Sequence, residues 1–277
     1  MKCRDFIEQV LHTEPTLPLT FQQIQLYVAY LHTMNYKSST IAAHLSAISH
    51  MHKIHHLSDP TSGYAISKML IGIRNIQGAG HDQRQPITRP ILKGLLAALP
   101  SCAPTLQDIH LYKSMFTLMY YACLRASEVL QTDTPEHNLH ISDINFHSAD
   151  TSYIINFHSY KHSAQADAKI NVITIHDTDC PVTSLRQYLA QRGHQPGPIY
   201  LRNGHTVTRS QFLYVLRSCL TYINLSNKNF NIHSFRIGRT TDMAEQNVPH
   251  SMIQKIGRWK STAFLKYIRP QDVTTQP

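Results

Sequence analysis

The sequence contains no hydrophobic run long enough to cross a membrane. Its longest nearly apolar stretch, residues 115–124, is about half of the roughly 20 residues that a bilayer span requires. The N-terminal segment carries Arg4, Asp5 and Glu8 where a signal peptide would have its apolar core. We therefore expect no membrane-spanning helix and an intracellular protein.

Cysteine, glycine and proline are also scarce. Five scattered cysteines without a C-x-x-C pair argue against a disulfide framework and a zinc knuckle, and we expect them to be reduced and mostly buried. The 10 glycines and 14 prolines, together with 42% hydrophobic residues, exclude a collagen-like or largely disordered chain. A globular protein of 277 residues is expected to form two domains.

Charged residues make up only 16% of the chain, but their balance is basic, with a net charge of +9. Residues 228–269 hold six of these nine net charges, from eight basic and two acidic residues. A solvated basic face is the ordinary explanation of such a run, and a polyanionic partner is the alternative. The motifs within the same segment favour the polyanionic partner.

The first part of the chain has the period of helices. Apolar residues recur three and four apart in residues 21–34, again after a Ser39 cap, and again in residues 66–76. A stretch rich in glycine and polar residues follows. The sequence therefore predicts a helical domain over residues 1–80, a linker at 81–87 and a second domain at 88–277.

The second domain mixes helices with short strands. Thr88 is a predicted helix cap, with Pro90 in the first turn. Three short segments alternate β-branched or aromatic residues with polar ones, which predicts strands. They are residues 140–146, 152–158 and 170–175. Further helices are predicted over residues 108–124, 181–192 and 208–222, and in shorter pieces from residue 234 onward. The predicted fold is mainly α-helical with a small antiparallel sheet.

Residues suited to phosphate chemistry lie in four short motifs of the second domain. The motifs are CLRASEVL, HSFR, GRWK and KYIRP. In the first, Arg125 and Glu128 follow an apolar helix, and an ordinary helix pair would explain them alone. The second is more specific because His233 and Arg236, three apart on a helix, share one face and can converge on one ligand.

With these motifs the sequence resembles the tyrosine recombinase family, also called the phage integrase family. The matching residues are Arg125, Lys161, His233, Arg236, Trp259 and Tyr267. The N-terminal helical segment resembles the family's core-binding domain, and the remainder resembles its α+β catalytic domain. The tracts HSFRIG, GRWKSTAF and YIRP look most like recombinases of eukaryotic mobile elements of the Crypton and DIRS types.

The resemblance implies cleavage and rejoining of DNA through a covalent 3′-phosphotyrosine, with Tyr267 as the nucleophile. Arg125 and Arg236 suit the phosphate because a planar guanidinium can donate paired hydrogen bonds to its oxygens. His233 would take the phenolic proton or donate to the phosphate.

Three further residues are candidates to assist this chemistry, two of them, Lys161 and Trp259, implied by the resemblance. Lys161, between two predicted strands, would be the general acid for the departing 5′-hydroxyl, and Lys169 is the alternative. Trp259 offers one N–H donor and a packing surface for Tyr267. Glu128 is a candidate for orienting the neighbouring groups. The basic residues that we expect to contact DNA are Lys228, Arg239, Lys255, Arg258, Lys260 and Lys266.

Histidines are clustered in the first domain, at His44, His50, His52, His55 and His56. His52 and His56 are four apart, as a helical pair of metal ligands would be, but no third ligand of suitable spacing accompanies them. We therefore expect these side chains to face DNA or solvent, and we expect neither a metal nor a cofactor.

The leading hypothesis is a site-specific recombinase of a mobile element. It would act as a homotetramer on paired sites in double-stranded DNA, in the nucleus if the organism is eukaryotic. Two other hypotheses fit the same motifs. One is a domesticated DNA-binding or regulatory protein without catalysis, and the other is a nicking enzyme similar to type IB topoisomerases.

Overall fold

A computed structural model describes residues 2–78, 82–133, 137–147, 151–158 and 168–269. The chain divides into two compact units, Met1–Asp82 and Gln83–Pro277. No helix within the described ranges is long and apolar enough to span a bilayer.

The first unit is built from helices. They are α1 (Lys2–Gln9), α2 (Phe21–Thr33), α3 (Ser38–Ile54) and α4 (Tyr64–Gln77). The three helices predicted from apolar spacing correspond to α2, α3 and α4. The sequence pattern does not predict α1, because this short helix buries only Phe6 and Ile7 among charged and polar residues.

The core of the first unit forms because α2, α3 and α4 each turn an apolar stripe inward. A capping box starts α2: the Thr20 hydroxyl accepts from the Gln23 amide at 3.2 Å, and the Gln23 side chain accepts from the Thr20 amide at 2.8 Å. The buried stripes consist of Ile24, Tyr27, Val28, Leu31, Ile41, Leu45, Ile48, Ile66 and Ile73.

His52 lies inside this core, which corrects the prediction that the whole histidine cluster faces DNA or solvent. The His52 side chain is fully buried. Burial of this polar ring costs little because both ring nitrogens have protein partners. Nε2 accepts from the Leu19 amide at 3.0 Å, and Nδ1 donates to the Ile48 carbonyl at 2.8 Å. Within the described part of the chain, no group of three or more His, Cys, Asp or Glu side chains is arranged to hold a metal ion.

The second unit combines helices with two small sheets. Its helices are α5 (Arg89–Cys102), α6 (Leu106–Tyr121), α7 (Ala126–Val129), α8 (Pro181–Arg192), α9 (Arg209–Tyr222), α10 (Ser234–Glu245) and α11 (His250–Gly257). Its strands are β1 (Ile144–Phe146), β2 (Ser152–Phe157), β3 (Ala168–Ile173), β4 (Leu201–Arg202) and β5 (His205–Thr206). The predicted fold class, mainly α with a small antiparallel sheet, is confirmed.

The larger sheet is antiparallel, in the order β1-β2-β3. Ile155 of the central strand pairs with Ile144 on one side and Ile170 on the other. The first strand is shorter than predicted. Residues ahead of it form a 3-10 turn, because the Asp143 carboxylate accepts from the His140 amide at 2.8 Å.

The smaller sheet, a hairpin of β4 and β5, is absent from the sequence prediction. Its turn residues Asn203 and Gly204 have φ values of 51° and 80°. An Asn-Gly pair is a strong hairpin signal because both positions tolerate positive φ. The strands have only two residues each, which is too short for an alternating pattern to be visible.

α6 runs through the middle of the second unit. It packs against α5, α8 and α10, and its buried residues are distributed around the helix rather than along one face. A helix that is apolar all round is stable when every face meets a neighbour. This position explains the nearly apolar run that the sequence shows at the end of α6.

The predicted linker is partly built into the second unit. The Gln85 amide donates to the Asn229 carbonyl at 2.8 Å, and the Ile87 amide donates to the Ser234 carbonyl at 2.9 Å. Gly238 of α10 lies so close to the Ile87 carbonyl that an added Cβ would be 1.8 Å from its oxygen. These contacts hold the start of the second unit against α10, which carries candidate site residues.

Candidate active site

A tight turn after α6 presents the first two candidate residues. Cys123 in this turn has a φ of 47°, in the left-handed region, so the right-handed helical backbone of α6 does not continue past it. Arg125 then caps α7, and its amide donates to Glu128 Oε2 at 2.8 Å. The Arg125 guanidinium donates to Glu128 Oε1 at 3.2 Å, so Arg125 contacts both carboxylate oxygens.

The Glu128 carboxylate is buried between two arginines. Only 1% of its side chain is exposed, and Oε2 accepts from the guanidinium of Arg258 at 2.7 Å. Burial alone would raise the pKa of Glu128, but the positive charges of Arg258 and Arg125 outweigh it and lower this pKa. Glu128 is therefore ionised and holds two guanidinium groups in place.

Arg236 on α10 reaches across the site beneath the indole ring of Trp259. Its guanidinium donates to the carbonyl oxygens of Cys123 and Gly257. The guanidinium carbon lies 4.0 Å from the Trp259 ring centre, within the range of a cation–π contact. Gly257 makes this stacking possible, because a Cβ at that position would lie 1.6 Å from the indole.

Among the described residues of this site, positive charge exceeds negative charge. Arg125, Arg236 and Arg258 all act on the single negative charge of Glu128. Burial lowers the pKa of Arg236, and the positive charges of Arg125 and Arg258 lower it further. A ligand with negative charge would relieve this repulsion, so the arrangement is suited to binding an anion.

Tyr267 lies among the remaining candidate residues. It ends the 3-10 helix Thr262–Tyr267. Its ring centre is 5.1 Å from the ring centre of Trp259 and 5.1 Å from that of His233. The guanidinium carbon of Arg236 is 5.7 Å from the same ring centre. An imidazole, an indole and a guanidinium therefore all lie within contact range of the Tyr267 ring.

A small apolar cluster fixes the segment that carries Tyr267. It consists of Cys123, Met243, Ile253 and Phe264, so it joins the turn after α6 to α10, α11 and the 3-10 helix. The Thr241 hydroxyl also donates to the Tyr267 carbonyl at 3.3 Å. These contacts unite parts of the site that are more than a hundred residues apart in sequence.

The structure thus brings five of the six predicted catalytic residues into one site: Arg125, His233, Arg236, Trp259 and Tyr267. The sixth, Lys161, lies outside the described residues. Its alternative, Lys169, is exposed on β3, where it pairs with Asn156 of β2.

The residues predicted to contact DNA differ in how far they are exposed to solvent. Lys228, Lys255, Lys260 and Lys266 are exposed. Arg239 is half-buried, and its guanidinium carbon lies 5.4 Å and 5.3 Å from the ring centres of Tyr120 and Tyr121.

Arg258 corrects the prediction for the basic set. It is only 6% exposed and its guanidinium is bound to Glu128, so in this structure it does not lie on a solvent-facing surface. The sequence offers no signal of this role, because Arg258 stands in a run of exposed basic residues and its partner is 130 positions away. Sequence reasoning therefore missed it as a member of the candidate site.

The fold and the site together define a tyrosine-type DNA strand transferase. Residues 93–272 match the sequence model described as the phage integrase family, and the chain belongs to this family. A comparison with curated proteins finds no match.

Solved structures of similar fold include one recombinase and two integrases. The XerH site-specific recombinase bound to a palindromic difH substrate has a TM-score of 0.69 and 14% identity, covering 95% of this chain and 72% of that one. The Tn1549 transposon integrase in complex with a circular intermediate DNA has a TM-score of 0.62 and 12% identity, covering 97% and 87%. A lambda integrase dimer bound to a core site has a TM-score of 0.61 and 13% identity, covering 100% and 73%.

Proposed function

We propose that this chain acts at specific DNA sites, forming a covalent bond between Tyr267 and a 3′ phosphate. The observation that carries the proposal is the convergence of His233, Trp259 and Arg236 on the Tyr267 side chain. A nucleophile needs a neighbouring base, and a phosphate needs hydrogen-bond donors placed where its charge increases. This set of side chains supplies both.

The reaction conserves the energy of the phosphodiester. The Tyr267 hydroxyl oxygen attacks phosphorus, a bond between tyrosine and phosphate forms, and the bond to the 5′ oxygen breaks. His233 takes the phenolic proton, and Lys161 donates a proton to the departing 5′ oxygen. In the rejoining step a 5′-hydroxyl attacks the phosphotyrosine and releases Tyr267.

The arginines stabilise the transition state. In-line attack concentrates negative charge on the nonbridging oxygens, and guanidinium forks placed in advance around them need no reorganisation. Glu128 neutralises one positive charge of Arg125, Arg236 and Arg258, so a net positive charge remains for the phosphate.

The DNA backbone outside the scissile phosphate would be held by the exposed lysines. Lys228, Lys255, Lys260 and Lys266 come from the segment with most of the net charge. Lysines on a surface of this kind bind phosphates as point charges and release condensed counterions. The resulting affinity is largely independent of sequence, so site selection would depend on other contacts.

The assembly that we propose is a homotetramer on two paired sites in double-stranded DNA, encoded by a mobile element. Strand exchange between two duplexes involves four strand cleavages, and each protomer carries one Tyr267. The lambda integrase structure, which is a dimer bound to a core site, and the Tn1549 structure, which is a transposon integrase, support the proposal by likeness of fold.

The decisive experiment is capture of the covalent intermediate. Purified protein is incubated with a pool of nicked duplexes from which a short strand can diffuse away, so that rejoining fails and the intermediate accumulates. We expect adducts that survive SDS with the unaltered protein and none with Tyr267→Phe, which removes one oxygen and little volume. Adducts of equal yield from Tyr267→Phe would exclude Tyr267 as the nucleophile.

Two further measurements, DNA binding and plasmid relaxation, separate the other two hypotheses. Tight DNA binding without any adduct would indicate a domesticated binding protein. Relaxation of any supercoiled plasmid, without strand exchange between two sites, would indicate an enzyme similar to type IB topoisomerases.

A further inference from the structure

Arg258 is buried in the site, although Lys255 and Lys260 beside it are exposed. Its guanidinium donates to Glu128 Oε2 at 2.7 Å and to the Ala122 carbonyl at 3.2 Å. The guanidinium carbon lies 4.0 Å from the ring centre of Phe157, the last residue of β2. The side chain therefore connects the end of α11, the turn after α6 and the sheet.

The backbone of Arg258 also has an unusual conformation. Its φ of 55° and ψ of 45° place its backbone in the left-handed region, which residues other than glycine rarely adopt. The carbonyls on either side of this bend contact the two phosphate-binding arginines. The Gly257 carbonyl accepts from Arg236, and the Arg258 carbonyl accepts from Arg125 at 3.5 Å.

We propose that Arg258 is a positioning residue that holds Arg125 and Arg236 in the geometry needed for the scissile phosphate. Its guanidinium fixes Glu128, which orients Arg125, and its backbone bend supplies carbonyls that contact both arginines. This inference rests on the proposed function. Arg258 itself does not touch DNA.

The charges of Arg125, Glu128 and Arg258 explain how loss of Arg258 would change the position of Arg125. Arg258 and Arg125 share one carboxylate, so Glu128 cannot neutralise both, and net positive charge remains beside Arg125 for a phosphate. Without Arg258, the Glu128 carboxylate would keep only Arg125 of these two partners. The Arg125 fork would then close on Glu128 as a neutral pair and turn away from the DNA.

The test compares Arg258→Met with a matched control, Arg202→Met. Arg202 forms an ion pair with the buried Asp108 at 2.6 Å in the same unit, outside the candidate site. Each substitution removes an arginine that forms an ion pair with a buried carboxylate, Glu128 in one case and Asp108 in the other. We expect Arg258→Met to slow single-turnover cleavage about a hundredfold, as displacement of a catalytic group by about 1 Å does, with DNA affinity almost unchanged. Arg202→Met is expected to cleave at the normal rate.

A modified substrate distinguishes positioning from general loosening of the fold. A methylphosphonate at the scissile position lacks one negative charge, so the loss of an arginine that neutralises this charge matters less. Arg125→Ala and Arg258→Met should both recover most of their deficit on one diastereomer of this substrate. A deficit of Arg258→Met that is equal on both substrates would assign Arg258 a merely structural role.

Two further variants keep the test decisive. Combining Arg258→Met with Arg125→Ala should slow cleavage by less than the product of the two single effects, because the Arg258 guanidinium acts on Arg125 through their shared partner Glu128. If Arg258→Met fails to fold because Glu128 is left with too little positive charge, Arg258→Met combined with Glu128→Gln removes both charges and should fold but remain slow. Cleavage by this variant at the unaltered rate would overturn the inference. An unaltered protein that forms no Tyr267-dependent adduct would overturn the proposed function as well.

Discussion

The ring centres of His233 and Tyr267 lie 5.1 Å apart, although 33 residues separate them in the chain. His233 caps α10, whereas Tyr267 ends a separate 3-10 helix. Packing of Phe264 against Met243 and Ile253 brings these elements together. The contact supports His233 as the group that removes the Tyr267 proton during attack on the phosphate.

Replacing either of the two arginines that we propose to bind the phosphate, Arg125 and Arg236, by lysine should slow cleavage much more than it weakens binding. Lysine keeps the charge but loses the fork, and in Arg236→Lys one ammonium would have to replace two donors that contact Cys123 and Gly257. We expect a loss of about 3 kcal/mol of transition-state stabilisation, or roughly a hundredfold in rate, for Arg125→Lys and Arg236→Lys. Single-turnover cleavage and filter binding measure the two effects. Nearly unaltered cleavage by both variants would exclude a role of these two arginines in stabilising the transition state.

DNA binding should depend steeply on salt. The logarithm of the binding constant should fall linearly with the logarithm of salt concentration, by about 0.9 per phosphate contacted, with a total slope steeper than about −2. Lys260→Gln should reduce the slope by about one contact. Arg258→Met removes the same charge from a buried position and should leave the slope unchanged. Equal effects of the two variants would contradict this assignment.

Cleavage should continue in excess EDTA. In the proposed mechanism, the guanidinium groups of Arg125 and Arg236 supply the positive charge that many nucleases obtain from divalent ions, and side chains transfer the protons. The measurement is adduct formation before and after chelation. Loss of activity that Mg²⁺ or Zn²⁺ restores would refute this mechanism.

The role of Lys161 can be tested through the leaving group. A 5′-hydroxyl is a poor leaving group without a proton, whereas a thiolate can depart unprotonated because a thiol has a pKa of about 8.5. With sulfur in place of the bridging 5′ oxygen, Lys161→Ala should recover most of its rate, and Arg125→Ala should stay slow. Equal impairment of Lys161→Ala on both substrates would exclude general-acid catalysis by Lys161. Normal cleavage of unmodified DNA by Lys161→Ala would make Lys169 the candidate for the general acid.

Gly238→Ala should destabilise the second unit. The new Cβ would lie 1.8 Å from the Ile87 oxygen, so the backbone before α5 would have to move, at a cost of about 1–3 kcal/mol. Gly72→Ala in α4 is the control, because its Cβ would meet no atom within 4 Å and helix propensity should add about 0.5–1 kcal/mol. Thermal unfolding measures both. A melting temperature of Gly238→Ala at or above that of the unaltered protein would show that this close approach is not needed.

Much of the fold follows from local patterns. The apolar spacing in α2, α3 and α4 and the cap at Thr88 are properties of neighbouring residues, so the sequence predicts these elements. The hairpin of β4 and β5 and the helix α1 escape prediction because their segments are too short to show a period. The β1 boundary is displaced because the Asp143 carboxylate accepts a hydrogen bond from the His140 amide, and this local bond competes with strand pairing.

The sequence alone determined which residue types are present for the chemistry: the arginines, the histidine and the tyrosine, in an order that resembles one family. Only the tertiary structure decided which of them meet. His52 and Arg258 show the difference, because one of five histidines and one of several basic residues became buried where polar partners were available. Those partners, Leu19 and Glu128, are 33 and 130 residues away. Burial of a polar group depends on such distant partners, and no local pattern records them.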